Sequence, residues 1–280
     1  MRPPLALPLA TERDGETGDR AAHAIARALD ALIPVRLGEL DAATLFDRME
    51  TKFLVPVGLV PALIHACRDE YRALTIDGRR MFRYQTRYFD TPDLTLYRAH
   101  EMGHFPRYKV RTRRYVDSGT TFLELKRKAN TGRTTKTRVP LVPADAAALG
   151  LLMHPAFAGA PTVVRSGELR ETLRVEYTRV SLTHGDGNER VTIDSALSFH
   201  AVTGEATYAG LAIVEVKQPR HAHSPALAFI RGVRWRPATL SKYCVGVLAL
   251  FPSAPRHRFK HVLREIDRCL SQPAADARTA

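Results

Sequence analysis

The chain has 280 residues, of which 45% are hydrophobic, and its 42 lysines and arginines against 29 acidic residues give a formal net charge of +13. This length and hydrophobic content suffice for a substantial core, so the sequence predicts a globular protein of one large domain or two small ones. The positive charge favours polyanionic partners such as phosphate chains, nucleic acid or acidic lipid, and charge alone does not choose among them.

The first twenty residues contain only a six-residue apolar run, LALPLA, which Pro8 interrupts, so no secretory signal is predicted. No later stretch approaches eighteen apolar residues, which argues against a membrane span. Cys67, Cys244 and Cys269 are odd in number and widely spaced, without a Cys-x-x-Cys or Cys/His metal pattern. We therefore predict a cytoplasmic protein with reduced structural cysteines, no disulfides and no structural zinc site.

Composition also suggests the domain boundaries. Residues 1–20 are rich in proline, glycine and charge, which is typical of a mobile leader, and AAHAIARALDALIPV then predicts a short helix that ends before Pro34. We assign residues 1–40 to this leader and helix, 41–270 to the folded domain and 271–280 to a flexible tail.

Strand patterns dominate the folded domain. Alternation, together with Val, Ile, Thr and aromatic content, predicts about eight strands in RMETKFLVP, FRYQTRYFD, FPRYKVRTRRY, TFLELKRKA, TKTRVPLV, ETLRVEYTRVSLT, RVTIDSALSFH and LAIVEVKQ. Helical patterns are fewer and occur in GLVPALIHACRDEY, PADAAALGLLMH, SPALAFIRGV and RFKHVLREIDRCL. The predicted fold class is therefore α+β.

Charged side chains recur on one face of these strands. In TFLELKRK, the side chains of Glu124, Lys126 and Lys128 share a face, because successive residues of a strand point to opposite sides. The same parity is repeated in other strands by Glu50 and Lys52, by Arg107, Lys109, Arg111 and Arg113, by Lys136 and Arg138, by Arg190, and by Glu215 and Lys217.

A solvated face of an antiparallel sheet would give the same pattern, and for any single strand that is the simpler interpretation. Its repetition favours a closed antiparallel β-barrel whose charged faces point inward as a basic tunnel, with helices covering the apolar outer faces. Arginine and lysine along facing strands would hold a triphosphate, and the glutamates are explained if one or more bind a divalent metal that bridges to phosphate oxygens. The sequence has no GxxxxGK[ST] loop, GxGxxG fingerprint or kinase HRD/DFG set, which disfavours the common nucleotide-binding folds.

Two further motifs have simpler interpretations. In YFDTPDLTLY, Asp90 and Asp93 flank a proline, and we predict a strand that ends in a turn, with an aspartate capping the next segment of the chain. His65, His100 and His104 lack matching ligands nearby in the sequence, so we interpret them as surface or core histidines and not as metal ligands or phosphorylated groups.

Several blocks, in order along the chain, resemble the polyphosphate polymerase (VTC) domain family and, more broadly, the triphosphate tunnel metalloenzyme and CYTH superfamily. They are DRMETKFLV, YFDTPDLTLY, YKVRTRRY, FLELKRK, KTRVPL, VEYTRVSL, RVTID, IVEVK and SKYCVG, and they span about residues 45–250. The resemblance implies a closed antiparallel triphosphate-tunnel barrel that uses a divalent metal, Mn²⁺ or Mg²⁺. It also implies transfer of the terminal phosphate of ATP to a growing polyphosphate chain.

The resemblance, with the strand parity, assigns roles to individual residues. The catalytic residues are Lys52, Arg113, Lys126 and Lys242. The substrate-binding residues are Lys109, Arg111, Lys128, Lys136, Arg138, Arg179, Arg190 and Lys217. Glu215 is the metal ligand, with Glu50 and Glu124 as supporting acids. A structural alternative stays open for Arg179 and Lys242, which would then pair with Glu176 or Asp194.

The leading hypothesis is an ATP-dependent polyphosphate polymerase whose partners are ATP and polyphosphate. The alternatives are a tunnel-type triphosphatase that uses water as the acceptor, a non-catalytic polyphosphate-binding subunit, and a nucleic-acid-binding protein. Only the positive charge supports the last of these, and we expect no nucleic acid partner. The same blocks resemble the catalytic domain of the eukaryotic vacuolar transporter chaperone complex, whose phosphate-sensing domain and membrane spans are not recognised in this sequence. This leaves open a separate membrane protein as partner, which would place the protein at the inner face of a membrane.

Overall fold

The computed structural model describes residues 12–42, 48–131, 133–141, 155–165, 167–219 and 223–271. The helices are α1 (Glu12–Asp30), α2 (Leu37–Ala42), α3 (Val60–Ala66), α4 (Thr95–Met102), α5 (Thr162–Arg165), α6 (Pro225–Gly232), α7 (Lys242–Leu250) and α8 (Lys260–Ser271). The strands are β1 (Ile33–Val35), β2 (Arg48–Pro56), β3 (Tyr71–Leu74), β4 (Phe82–Asp90), β5 (Arg107–Tyr115), β6 (Thr121–Lys128), β7 (Thr134–Leu141), β8 (Arg170–His184), β9 (Arg190–Ala201), β10 (Gly204–Tyr208) and β11 (Leu211–Pro219).

The predicted strands are confirmed as β2, β4 to β9 and β11, with bounds that differ by two residues at most. Three predicted helices are confirmed as α3, α6 and α8, although α3 ends at Ala66, because Tyr71 already begins β3. The predicted helix over residues 143–154 lies outside the described residues. The short helix predicted in AAHAIARALDALIPV is also confirmed, as the second half of α1, which begins earlier, at Glu12, within the segment predicted to be a mobile leader.

The strands form one mainly antiparallel sheet in the order β2-β11-β9-β8-β4-β5-β6-β7. Strand β10 pairs with β9, while β3 pairs with β8 and, in parallel, with β1. The end strands β2 and β7 do not pair with each other in the described part of the chain. The antiparallel sheet with helices is thus confirmed, whereas the closure of that sheet into a barrel stays a prediction.

Helices cover the outer, apolar face of the sheet, as predicted. Phe53 of β2, which has the opposite strand parity to Lys52, and Ile266 of α8 belong to the larger core, in which α8 packs on β2 and β11. A second core lies on the outer side of β5 and β6, where Val110 and Leu123 pack with Val164 of α5. Within the described ranges, no helix combines the length and the apolar character that a membrane crossing requires.

Helix α7 packs on the opposite, inner face of the sheet. Its Gly246 lies so close to β8 that an added Cβ would stand 2.4 Å from Leu173 Cδ2, and the ring of Tyr243 stacks on Tyr88 of β4 at 5.1 Å. Leu173 has the same strand parity as Arg179. The inner face is therefore apolar where α7 fills it and polar beyond the helix N-terminus.

The three cysteines Cys67, Cys244 and Cys269 are buried free thiols. Burial raises the pKa of each thiol, to about 12 for Cys67 and Cys269, so the thiolate forms are disfavoured. These residues therefore serve as small core side chains.

Candidate functional site

Alternate residues of β5, β6 and β7 form a continuous basic surface. Arg107 lies opposite Lys128, and Lys109 opposite Lys126, which in turn lies opposite Lys136 of β7. Because paired residues of neighbouring strands share a face, these cations lie side by side, as predicted. We call the following set the basic face: Lys52, Arg107, Lys109, Arg111, Arg113, Lys126, Lys128, Lys136, Arg138, Arg179, Arg190, Lys217 and Lys242.

The sheet curves, so that strands distant in its order face each other. The pKa of Lys126 on β6 is lowered by burial and by Arg111, and Glu215 on β11 opposes that shift. Burial, assisted by Lys126, also lowers the pKa of Lys52 on β2 to about 8. Four strands separate β11 from β6 in the sheet order. These interactions therefore cross a concave surface, and the basic face lines its inside.

Glu50 and Glu215 share two lysines at one side of this surface. Glu215 contacts Lys217 Nζ at 2.6 Å and Lys52 Nζ at 3.1 Å, while Glu50 contacts Lys52 and lies 4.0 Å from Lys217 Nζ. Burial would raise the pKa of Glu215, but Lys217 and Lys52 hold it well below its usual range. Arg190 of β9 lies opposite Lys217, so it borders this group.

Glu124 lies in a different group of cations. Its carboxylate is 1% exposed and accepts hydrogen bonds from Arg111, at 2.7 Å from Nε, while Lys136 Nζ lies 2.6 Å away. Burial opposes ionisation, but Arg111 and Arg113 dominate and hold the pKa of Glu124 at about 2. The structure thus brings Glu50 and Glu215 together, whereas Glu124 fixes Arg111 and Lys136 in position.

Arg179 and Lys242 both bind Asp194, in agreement with the structural alternative for these two residues. Arg179 donates from Nε and Nη2 to the two carboxylate oxygens of Asp194 at 2.6 and 2.7 Å, and Lys242 contacts the same carboxylate. Glu176 instead accepts a hydrogen bond from Gln85 at 2.8 Å. The side chain of Ser241 caps α7, and Lys242, the first residue of this helix, is thereby positioned beside Asp194 and Arg179.

Three other cations of the basic face have no carboxylate at ion-pair distance in the part of the chain that the structure describes. Lys109, Arg113 and Lys126 form no ion pair with any described residue, and the Nε of Arg113 is buried without a hydrogen-bond partner. Arg138 stacks over Phe122 at 4.8 Å, and burial, with Lys126 and Arg111 nearby, lowers the pKa of Lys109 to about 7. Buried cations without partners are costly, so this surface suits an anionic ligand.

Tyr177 is a site residue that no motif in the sequence indicated. Its hydroxyl is buried without a hydrogen-bond partner, and its ring lies 4.4 Å from Lys242 Nζ and stacks on Tyr84 at 5.2 Å. Burial opposes ionisation, but Arg113, Arg179 and Lys242 lower the pKa of Tyr177. The sequence could have indicated Tyr177 by its position, because it precedes Arg179 by two residues in the same strand and therefore shares the face of Arg179.

The carboxylates fit a divalent cation only in part. The described residues contain no group of three His, Cys, Asp or Glu that could hold a metal ion. Glu50 and Glu215 do lie together on shared lysines. Because Mg²⁺ is commonly bound by one or two carboxylates plus substrate phosphates, this pair fits a cation that arrives with a phosphate ligand.

Residues 47–251 match the model of a protein family described as the VTC domain. A search of curated proteins gives no match.

The solved structures that the chain matches are distant from it in sequence. A conserved hypothetical protein from Pyrococcus furiosus is 11% identical, with a TM-score of 0.42, over 71% of this chain and 99% of that one. A putative adenylyl cyclase from Hippeastrum, described as having a dominant triphosphatase activity, is 15% identical, with a TM-score of 0.40, over 72% and 95%. The Pct1 RNA triphosphatase of S. pombe is 11% identical, with a TM-score of 0.26, over 92% and 95%.

Proposed function

The chain belongs to the VTC domain family, and we propose on that basis that it is an ATP-dependent polyphosphate polymerase. The observation that carries the proposal is the basic face, on which no described carboxylate lies at ion-pair distance from Lys109, Arg113 or Lys126. A phosphate chain would supply negative charge to these cations, and an arginine guanidinium can donate two hydrogen bonds to phosphate oxygens in a bidentate contact.

In the proposed reaction, a terminal oxygen of the polyphosphate chain attacks the γ-phosphorus of ATP. The new bond joins this oxygen to phosphorus, while the bond from the γ-phosphorus to the β,γ-bridging oxygen breaks and ADP leaves with the electron pair. Lys52, Arg113, Lys126 and Lys242 offset the charge of the transferred group, and the other cations of the basic face align the chain. No protein nucleophile is needed.

Glu50 and Glu215 would hold a divalent cation, Mn²⁺ or Mg²⁺, which when bound neutralises part of the phosphate charge. Replacement of the Glu215 carboxylate would also release Lys52 and Lys217, which contact it. We further propose that β2 and β7 approach each other and close the curved sheet into a tunnel. Closure would exclude water, which competes with the chain as acceptor.

The test is incubation of the purified protein with ATP and Mn²⁺, with products resolved by gel and free phosphate assayed in parallel. We expect a polyphosphate ladder and ADP, and loss of both in Glu215→Gln. Glu205→Gln, on the exposed side of β10, is the matched control and should retain activity, because the side chain of Glu205 pairs with His200 and, among the described residues, with no group of the basic face.

Each other outcome identifies an alternative. Free phosphate without polymer would show a triphosphatase, and tight polyphosphate binding without turnover would show a binding subunit. Failure to bind ATP, triphosphate and polyphosphate would reject the phosphate-chain site itself.

A further inference from the structure

The connection between α4 and β5 is an exposed loop that carries two large apolar side chains. Helix α4 ends at Met102, Gly103 follows with a φ of 72°, and the chain then passes through Phe105 to the start of β5. Met102 and Phe105 are 47% and 44% exposed, although side chains of these types are usually buried. They are three residues apart on the same loop, so together they offer an apolar contact to a partner.

Cations from a second segment of the chain lie against this loop. The guanidinium of Arg258 lies directly on Gly103, and the backbone N–H of Arg258 donates to Glu101 Oε1 at 3.1 Å. Arg258 and Lys260 are exposed, and neither forms an ion pair with any described residue. Glu101 itself is buried, so the exposed surface here is basic. We call the following set the docking patch: Met102, Phe105, His257, Arg258 and Lys260.

The docking patch combines positive charge with apolar side chains. Arg107, at the border of the patch, has its guanidinium 4.8 Å from the centre of the Phe105 ring, and burial together with Arg258 lowers the pKa of Arg107. A soluble polyanion would use the cations but leave Met102 and Phe105 in water. An anionic bilayer offers charge at its surface and an apolar medium just beneath it, so it fits both features.

We propose that the docking patch binds the surface of an anionic lipid bilayer directly. Met102 and Phe105 enter between the lipid headgroups, while Arg258 and Lys260 lie beside anionic headgroups. This contact requires neither a membrane-spanning helix nor a membrane protein as partner. The inference goes beyond the proposed reaction, because no residue of the docking patch belongs to the basic face.

The test is co-sedimentation of the full chain with vesicles of phosphatidylcholine alone and of phosphatidylcholine mixed with phosphatidylglycerol. We expect binding to the mixed vesicles only, and weaker binding as salt is added. Met102→Ser/Phe105→Ser removes the apolar contact, and Arg258→Gln/Lys260→Gln removes two charges. Each variant should bind the mixed vesicles about tenfold more weakly or worse.

The matched control for the charge variant is Arg234→Gln/Arg236→Gln. These two exposed arginines flank Trp235, whose ring lies 4.2 Å from the guanidinium of Arg268 in the last turn of α8. The control thus removes the same charge at the opposite end of the helix that begins with Lys260. It should bind the mixed vesicles like the unmodified protein.

Three results would overturn the inference. Absence of binding to the mixed vesicles would leave the patch to a partner other than lipid, and undiminished binding by Met102→Ser/Phe105→Ser would show that the apolar side chains do not enter the bilayer. Equal losses in the two charge variants would show that binding follows net charge and not the docking patch. Circular dichroism checks that each variant folds, and Phe105→Ser alone repeats the comparison if the double variant does not.

Discussion

At the residue scale, folding disfavours the protonated form of two lysines on the basic face. Burial, with neighbouring cations, lowers the pKa of Lys109 from 10.5 to about 7 and that of Lys52 to about 8. The unfolded chain therefore binds more protons than the folded one between about pH 7 and pH 10. For these groups, the free energy of unfolding of the ligand-free protein rises with pH across that window.

Affinity for phosphate should follow the opposite trend. An anion favours the charged lysine, so we expect tripolyphosphate binding to weaken as pH rises above about 7, by up to about tenfold per pH unit for a single linked proton. Titration calorimetry from pH 7 to pH 9 measures the slope. Lys109→Met should flatten it, whereas Lys260→Met, at the exposed start of α8, should not. Titration of the ligand itself is common to all three proteins, so equal slopes would contradict this account.

At the scale of elements, α7 determines where the polar part of the inner face begins. Asp90, at the end of β4, accepts the backbone N–H groups of Leu96 and Tyr97 at 2.8 Å and a hydrogen bond from the Tyr243 hydroxyl. This buried carboxylate caps α4, as predicted for an aspartate of this motif, and also anchors α7. Lys242 precedes Tyr243, so the same anchor fixes a residue of the basic face.

The close approach of α7 to the sheet gives a stability prediction. In Gly246→Ala, the new Cβ would lie 2.4 Å from Leu173 and 2.6 Å from Phe199. Overpacking of this kind costs about 1–3 kcal/mol, against a gain of roughly 1 kcal/mol in helix propensity. We expect a lower midpoint in chemical denaturation and weaker phosphate binding, because Lys242 shifts with the helix.

Gly232→Ala is the control for this change. Gly232 ends α6, and no atom lies within 4 Å of an added Cβ there. That variant should keep the stability of the unmodified protein. A Gly246→Ala protein of unchanged stability would show that α7 is free to move away from β8.

The sequence did not predict α4 or α7, and the physical reasons differ. Helix α7, KYCVGVLAL, is buried on nearly all sides, so it lacks the polar stripe on which a helical period depends. Helix α4 is short, and its preceding residue Leu94, which has a φ of 61°, supplies no side-chain cap, so the usual sequence signal of a polar N-cap residue is missing. The strands of the basic face were predictable because charge alternates with apolar residues along each of them.

At the scale of the whole molecule, the parity of single strands predicted which cations share a face, but not how they pair. The sequence left open whether Arg179 and Lys242 pair with Glu176 or Asp194, and their shared binding of Asp194 joins the consecutive strands β8 and β9 to Lys242 of α7, which follows Asp194 by 48 residues. The separation of Glu124 from Glu50 and Glu215 likewise depends on strand order, which local patterns do not encode. The residue types therefore indicated that the site binds phosphate, whereas the grouping of its charges depends on the tertiary structure.

The concentration of unpaired cations on one concave surface predicts that phosphate chains stabilise the protein. A ligand at about 100 times its Kd adds about 2.7 kcal/mol to the free energy of unfolding, which corresponds to roughly 5–10 °C in Tm for a domain of this size. Thermal unfolding with tripolyphosphate, and with sodium chloride at equal ionic strength, separates binding from screening. Chloride should give a much smaller shift, since it screens the repulsion between cations without bridging them. Equal shifts with both salts would mean that the basic face is only a solvated surface.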